Sequence, residues 1–151
     1  MPERAFLFGW NPIKWPWTDL DKDIEKLNRD GYLEETWSAA RHKAIKPGDK
    51  AYIVRLGAEP KGIFASGIIS SEPFLAMRAG RTYHRVAVKL DVLLNPNAEP
   101  ILTLDLLKTG NLAEQLWTPQ ASGVSVRPHL VEELERLWLS FLDKSNRYKD
   151  F

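Results

Sequence analysis

The chain has 151 residues, 44% of them apolar and 27% charged, with a formal net charge of +1 and no cysteine. That length suits a single domain with its own core, and the lack of cysteine excludes disulfides, thiolate metal sites and cysteine nucleophiles. No apolar run reaches the roughly 18 residues of a membrane span, no basic-then-hydrophobic leader opens the chain, and a reducing cytoplasm is the expected compartment.

The first element is a short apolar strand, Ala5-Phe6-Leu7-Phe8. It breaks at Gly9-Trp10-Asn11-Pro12, and Trp15 and Trp17 follow, the second fixed behind Pro16. Three of the six tryptophans thus lie within a few residues of a strand end. Stiff aromatic plates in a Pro-broken loop suit a flat, π-faced ligand such as a nucleobase. Filling the core beside the first strand is the other reading, since Trp is highly buried on average.

Thr18 can cap a helix running to about Asp30, stopped by Gly31, with Leu20, Ile24 and Leu27 on one narrow apolar stripe. Trp37-Ser38-Ala39-Ala40 reads as the start of a short helix with Ser38 as a possible N-cap. Pro47-Gly48-Asp49-Lys50 is a turn. The runs at 51–56 and 61–69 then form a β-hairpin, in which Gly62 and Gly67 predict a bulge or a close backbone approach. Ser70 to Tyr83 lacks periodicity and reads as a long exposed loop. Arg85 to Leu94 alternates and is a strand; Ile101 to Leu107 is ambiguous between strand and helical turn. Leu112 to Leu116 suggests a short helix and Gly123 to Val126 a short strand. Pro128 starts a last helix whose buried face is Leu130, Leu134, Leu137, Trp138, Phe141 and Leu142. Four or five strands with helices at their edges predict an α+β domain on a curved, mainly antiparallel sheet or barrel.

Charge is unevenly spread. Asp19 to Glu35 holds seven acids against three bases, whereas Arg41 to Lys89 holds ten bases against three acids. A basic middle suits phosphates, with Arg41, Lys43 and Lys46 in one cluster and Arg78, Arg81 and Arg85 in another. Two ordinary solvated faces would give the same counts. Catalytic patterns are missing: His42, His84 and His129 share no metal-ligand spacing, and no carboxylate pair, phosphate-binding Gly-rich loop or nucleophile elbow is present. The expectation is a binding module with no catalytic residues, no metal and no cofactor.

Five blocks, taken in order, resemble an EVE domain, of the PUA-like superfamily that includes the YTH readers of methylated RNA. They are Phe6-Leu7-Phe8-Gly9-Trp10-Asn11-Pro12 with Trp15-Pro16-Trp17; Trp37-Ser38; Ile45-Lys46-Pro47-Gly48-Asp49 through Tyr52; Pro60-Lys61-Gly62-Ile63-Phe64-Ala65-Ser66-Gly67; and Trp117-Thr118-Pro119-Gln120-Ala121-Ser122-Gly123. The resemblance spans nearly the whole chain. It implies a small β-barrel with flanking helices that holds a modified base in an aromatic cage after base flipping. Relatives read methylated or hydroxymethylated cytosine in DNA, often fused to a nuclease; the 151 residues leave no room for one, so any cutting would need a separate effector.

By the same resemblance Asn11, Trp37 and Ser38 match base-contacting positions, and Trp10, Trp117, Ser122 and Gly123 match pocket walls. Trp15, Trp17, Ser66 and Gly67 are pocket wall or core. The expected partner is nucleic acid, DNA ahead of RNA. Two other readings stay open: a PUA-like module for ordinary RNA or a nucleotide-like small ligand, and an interaction module or small enzyme whose cavity holds a metabolite.

Overall fold

The computed structural model describes residues 4–40, 43–118 and 122–144. Eight strands form one curled sheet: β1 (Ala5–Trp10), β2 (Leu33–Ser38), β3 (Lys50–Arg55), β4 (Gly62–Ile69), β5 (Phe74–Arg78), β6 (Arg81–Leu93), β7 (Leu102–Thr103) and β8 (Val124–Ser125). Their order is β2-β6-β4-β3-β1-β8, with β5 beside β6 and β7 beside β4. The β1–β3 pairing is parallel and the others are antiparallel. Three α-helices flank the sheet: α1 (Leu20–Asp30), α2 (Leu104–Leu107) and α3 (Val131–Lys144). This is the PUA-like α+β architecture expected from the chain. No described helix is long and apolar enough to cross a membrane.

The apolar run of β1 is buried on both faces, Ala5 through Phe8 being at most 2% exposed. It lies between β3 and β8, so the core closes around it, with Ile53, Val54, Ile63, Phe64, Val88 and Leu90 fully covered. Each such side chain contributes roughly 1.5–3 kcal/mol on burial.

Helix α1 ends where the sequence says, at Gly31 with φ +86°. It starts at Leu20 with Asp19 as its N-cap, so Thr18 is not the cap. The β3–β4 hairpin carries both glycine effects. The ladder to β6 shifts between Ser66 and Gly67, and a Cβ on Gly67 would lie 2.1 Å from the Lys89 carbonyl oxygen. The ambiguous segment at 101–107 is both things in turn, β7 and then α2. Leu112 to Leu116 reduces to a 3₁₀ turn over Gly110–Glu114, and Leu116 is exposed. The last helix is preceded by a 3₁₀ turn at Pro128–Leu130. On α3, Val131, Leu134, Trp138 and Leu142 are buried, whereas Leu137 and Phe141 are only half-buried.

Two expectations are corrected. Trp37-Ser38 does not open a helix; it ends β2, where pairing with β6 sets Leu33 opposite Leu90 and Glu34 opposite Lys89. Cross-strand apolar and opposite-charge pairs of this kind outweigh the weak strand propensity of an acidic segment. Residues 70–83 are not one long loop, because β5 and the start of β6 form a hairpin joined by Ala79-Gly80. Both turn residues have positive φ, +51° and +77°, as a two-residue primed turn requires. With β2, β5 and β7 added, the sheet has eight strands rather than four or five.

Candidate functional site

Where β1 runs out at Trp10, the chain turns sharply and lays its indoles over the end of the sheet. The turn is built by Asn11, whose Oδ1 accepts from the backbone N–H of Ile13 (3.0 Å) and Lys14 (3.4 Å). Trp10 Nε1 then donates to the Trp15 carbonyl at 2.7 Å, which ties the loop back onto the strand.

Trp17 is the hub. Its ring meets Trp10 edge-on (5.7 Å, 85°), and Trp37 and Phe64 each at 6.3 Å, while its Nε1 donates to Asp23 Oδ2 at 2.7 Å. Trp37 leans on Phe8 at 6.4 Å, and Trp10 on Phe64 at 5.1 Å. Trp15 stands apart, 52% exposed, with the Arg78 guanidinium 4.0 Å above its ring.

Three adjoining cavities make one open groove across this cluster. The first, about 300 Å³, lies among Trp10, Trp15, Trp17 and Trp37, with Asp19, Asp23 and Glu35 in its wall. The second, about 310 Å³, shares Trp10, Trp15, Thr36 and Trp37 and adds Gly9, Ser38, Arg78, Arg85 and Ser122. The third, about 670 Å³, continues past Ser38 and Arg78 to Ala79, Arg81, Thr82 and Tyr83 of the β5–β6 hairpin. Volumes of this order suit a small ligand. The groove is acidic at one end and basic at the other.

Burial raises the Glu35 carboxyl above its ordinary range; Asp23 adds to this and Lys26 opposes it. At the basic end Arg85 is braced, its Nε donating to Thr36 Oγ1 (3.0 Å) and its Nη2 to the Thr36 carbonyl (2.6 Å). Ser122 Oγ accepts from Gly9 N–H at 2.9 Å, and the Ser122 carbonyl accepts from Ala40 N–H at 2.8 Å. Those two bonds hold the 122–123 segment between β1 and the end of β2. Gly123 (φ +82°) permits the crossing, since a Cβ there would sit 3.1 Å from the Ala39 Cα.

Of the residues singled out by sequence, Trp10, Trp15, Trp17, Trp37, Ser38, Ser122, Arg78, Arg81 and Arg85 converge on this groove. Trp10 is nearly buried and forms the floor; Trp15 is the open plate. Other residues lie elsewhere. Trp117 is 1% exposed, with Nε1 donating to the Leu112 carbonyl at 2.8 Å, so it packs in the core and lines none of these three cavities. Asn11 turns its amide into its own loop, and Gly123 is buried backbone.

Ser66 and Gly67 line a separate small space of about 90 Å³ under α3. There Trp138 Nε1 donates to Ser66 Oγ, which donates to Asp91 Oδ1, both at 2.9 Å. Lys43 and Lys46 are exposed and line none of these cavities; Arg41 lies outside the described residues. Sequence reading missed Thr36, Asp19, Asp23 and Glu35 as groove residues. The signal was present in the acidic stretch from Asp19 to Glu35, which begins two residues after Trp17.

The same fold occurs in solved structures. A hypothetical protein from Leishmania major matches with a TM-score of 0.64 at 15% identity, over 91% of this chain and 96% of that one. Protein PSPTO5229 from Pseudomonas syringae matches at 0.59 and 16%, over 88% and 98%, and a protein from Pseudomonas putida at 0.56 and 18%, over 88% and 98%. What these structures share with the chain is the curled, mainly antiparallel α+β fold. No protein-family model matches the sequence, and no curated protein does. At these identities the likeness shows the fold alone, and what the groove binds has to be argued from its own residues.

Proposed function

We propose that this EVE-like chain is a binding module, not an enzyme, that reads a modified nucleobase. Methylated or hydroxymethylated cytosine in DNA is the first candidate and modified RNA the second. One observation carries the reading: the 310 Å³ cavity has indole walls at Trp10, Trp15 and Trp37, a hydroxyl at Ser38, and cations at Arg78 and Arg85. Indole faces stack a base, returning about 1–3 kcal/mol. The Trp15 and Trp37 rings are the accessible plates, and Ser38 and Thr36 offer polar groups to a base edge. Glu35 supplies an acceptor for an exocyclic amine, the pairing by which carboxylates select cytosine. Arg78 and Arg81 at the hairpin turn face flanking phosphates, which makes affinity salt-dependent. A base inside a duplex must first flip out, at a cost of a few kcal/mol, so single strands should bind more tightly.

The test is fluorescence titration with short single- and double-stranded oligonucleotides carrying cytosine, methylcytosine, hydroxymethylcytosine or methyladenine, at two salt concentrations. Trp37→Ala should erase the preference for the modified base. Trp37→Phe, which keeps a ring against Phe8 and Trp17, serves if the alanine variant does not fold. A folded variant that keeps its preference, or equal wild-type affinity for modified and plain oligonucleotides, would refute the assignment; the second result would favour an ordinary RNA or nucleotide ligand.

A further inference from the structure

The 300 Å³ end of the groove has a composition that a neutral base does not call for. Four indoles line it, and three carboxylates, Asp19, Asp23 and Glu35, share the wall. Among the described residues only one of the three is hydrogen-bonded by a side chain, Asp23 by Trp17 Nε1. Asp23 also stands in the first turn of α1, where an acid complements the helix dipole. Glu35 has no such role. It comes from β2, makes no hydrogen bond or ion pair among the described residues, and is partly desolvated beside Asp23, with Lys26 the opposing charge. A single exocyclic amine uses one or two acceptors, so three carboxylates leave negative charge over, beside a ligand whose phosphates are themselves negative. Indole faces combined with carboxylates are the arrangement that holds an organic cation.

Resting on the reader reading above, we propose that the base read is one whose ring is positively charged, such as cytosine methylated at N3 or adenine methylated at N1. The charged ring lies among Trp17, Trp37 and Glu35, and the phosphates run toward Arg78 and Arg81. The groove's two ends thus match the two charges of one ligand. A methylated lysine side chain carries the same cation, but a peptide would need carboxylates at the right spacing to meet the adjoining arginines, whereas every nucleotide brings a phosphate.

Matched single-stranded oligonucleotides test this, each with one central residue: 3-methylcytosine against 5-methylcytosine, and 1-methyladenine against N6-methyladenine. Each cationic isomer should bind roughly 5- to 30-fold more tightly than its neutral isomer at the same salt. Glu35→Gln, with Asp19→Asn as a second variant, should reduce that ratio to about 3-fold or less, weakening the cationic isomer more than the neutral one. A neutral isomer bound as tightly as the cationic one would overturn the charge inference and leave the reader reading standing. No discrimination of any modified oligonucleotide from the plain one would overturn both. Preference for a trimethyl-lysine peptide over every oligonucleotide would replace the nucleic-acid ligand.

Discussion

Trp15 and Trp17 are two residues apart, and the structure predicts opposite outcomes for them. Trp17 meets Trp10, Trp37 and Phe64 at centroid distances of 5.7, 6.3 and 6.3 Å and donates to Asp23. Each aromatic contact contributes about 0.5–1.5 kcal/mol beyond area burial. The bond to a carboxylate adds about 1.5 kcal/mol, the low end because the pair is only half-buried. Allowing for contacts the neighbours can remake, Trp17→Ala should cost ~3–5 kcal/mol. For a chain of this size that is roughly 6–20 °C in Tm. Trp15 is half exposed; its one ring contact among the described residues is with Arg78, worth about 0.5–1 kcal/mol, and the carbonyl that Trp10 bonds is backbone and survives truncation. Trp15→Ala should therefore unfold within about 4 °C of wild type, yet lose ~1–3 kcal/mol of oligonucleotide affinity, the worth of one stacked base. Denaturant unfolding followed by circular dichroism and fluorescence anisotropy with labelled oligonucleotides read the two quantities. Equal destabilisation by both substitutions, or full affinity in Trp15→Ala, would show that the loop is not divided into hub and plate.

The clamp under α3 offers two further tests. Ser66 Oγ stands between Trp138 Nε1 and Asp91, so Ser66→Ala strands a buried indole N–H and should cost about 1–3 kcal/mol. With Trp138→Phe added, the double variant should lose about 1 kcal/mol less than the sum of the singles in urea unfolding, and strict additivity would deny the bond. Burial also holds the Asp91 carboxyl above its ordinary range, against the Ser66 hydroxyl and the Lys50 charge, which Glu135 shares. A carboxyl whose folded pKa is raised binds its proton more tightly when folded. Its contribution is therefore fully favourable below the ordinary carboxyl range and is lost as pH rises through the raised value. Asp91→Asn should remove that part of the stability loss as pH rises above the ordinary carboxyl range; denaturation curves of equal pH slope for variant and wild type would refute it.

The parts of the fold legible in the sequence were those governed by local rules. The β3–β4 hairpin announced itself by the Pro47-Gly48-Asp49 turn ahead of it and two strand-like runs, α1 by its stripe and Gly31, and β1 by an unbroken apolar run. The parts that escaped are governed by partners far along the chain. Leu33–Ser38 is acidic and looks unlike a strand until β6 lies beside it. The β5–β6 turn is Ala79-Gly80 rather than Asn-Gly or Asp-Gly, so its signal was half missing. The same limit applied to the site. A tryptophan in a Pro-rich loop can be plate, floor or core, and Trp15, Trp10 and Trp117 turn out to be one of each. Asp19, Asp23 and Glu35 counted as a solvated flank, because nothing local says that β2 carries Glu35 to the indoles.

If the proposed reading holds, the energetics of recognition point to the rim rather than the plates as the seat of selectivity. Stacking on Trp15 or Trp37 is nearly indifferent to which base is stacked. One added methyl on an apolar wall is worth only about 1 kcal/mol, and pocket discrimination of that kind stays near 10–200-fold. Polar groups do more, because a ligand that fails to satisfy a desolvated acceptor leaves it unpaired. Of the polar groups here, Ser122 is committed to Gly9, Asn11 to its own loop and Arg85 to Thr36. Among the described residues the Ser38 and Glu35 side chains make no hydrogen bond, and β2, whose register against β6 holds them, turns them to opposite faces of the strand, Glu35 to the 300 Å³ cavity and Ser38 to the 310 Å³ one. Selectivity for a base edge or charge therefore follows from the same strand pairing that builds the sheet, and a slip of one residue in that register would exchange the residues facing the groove.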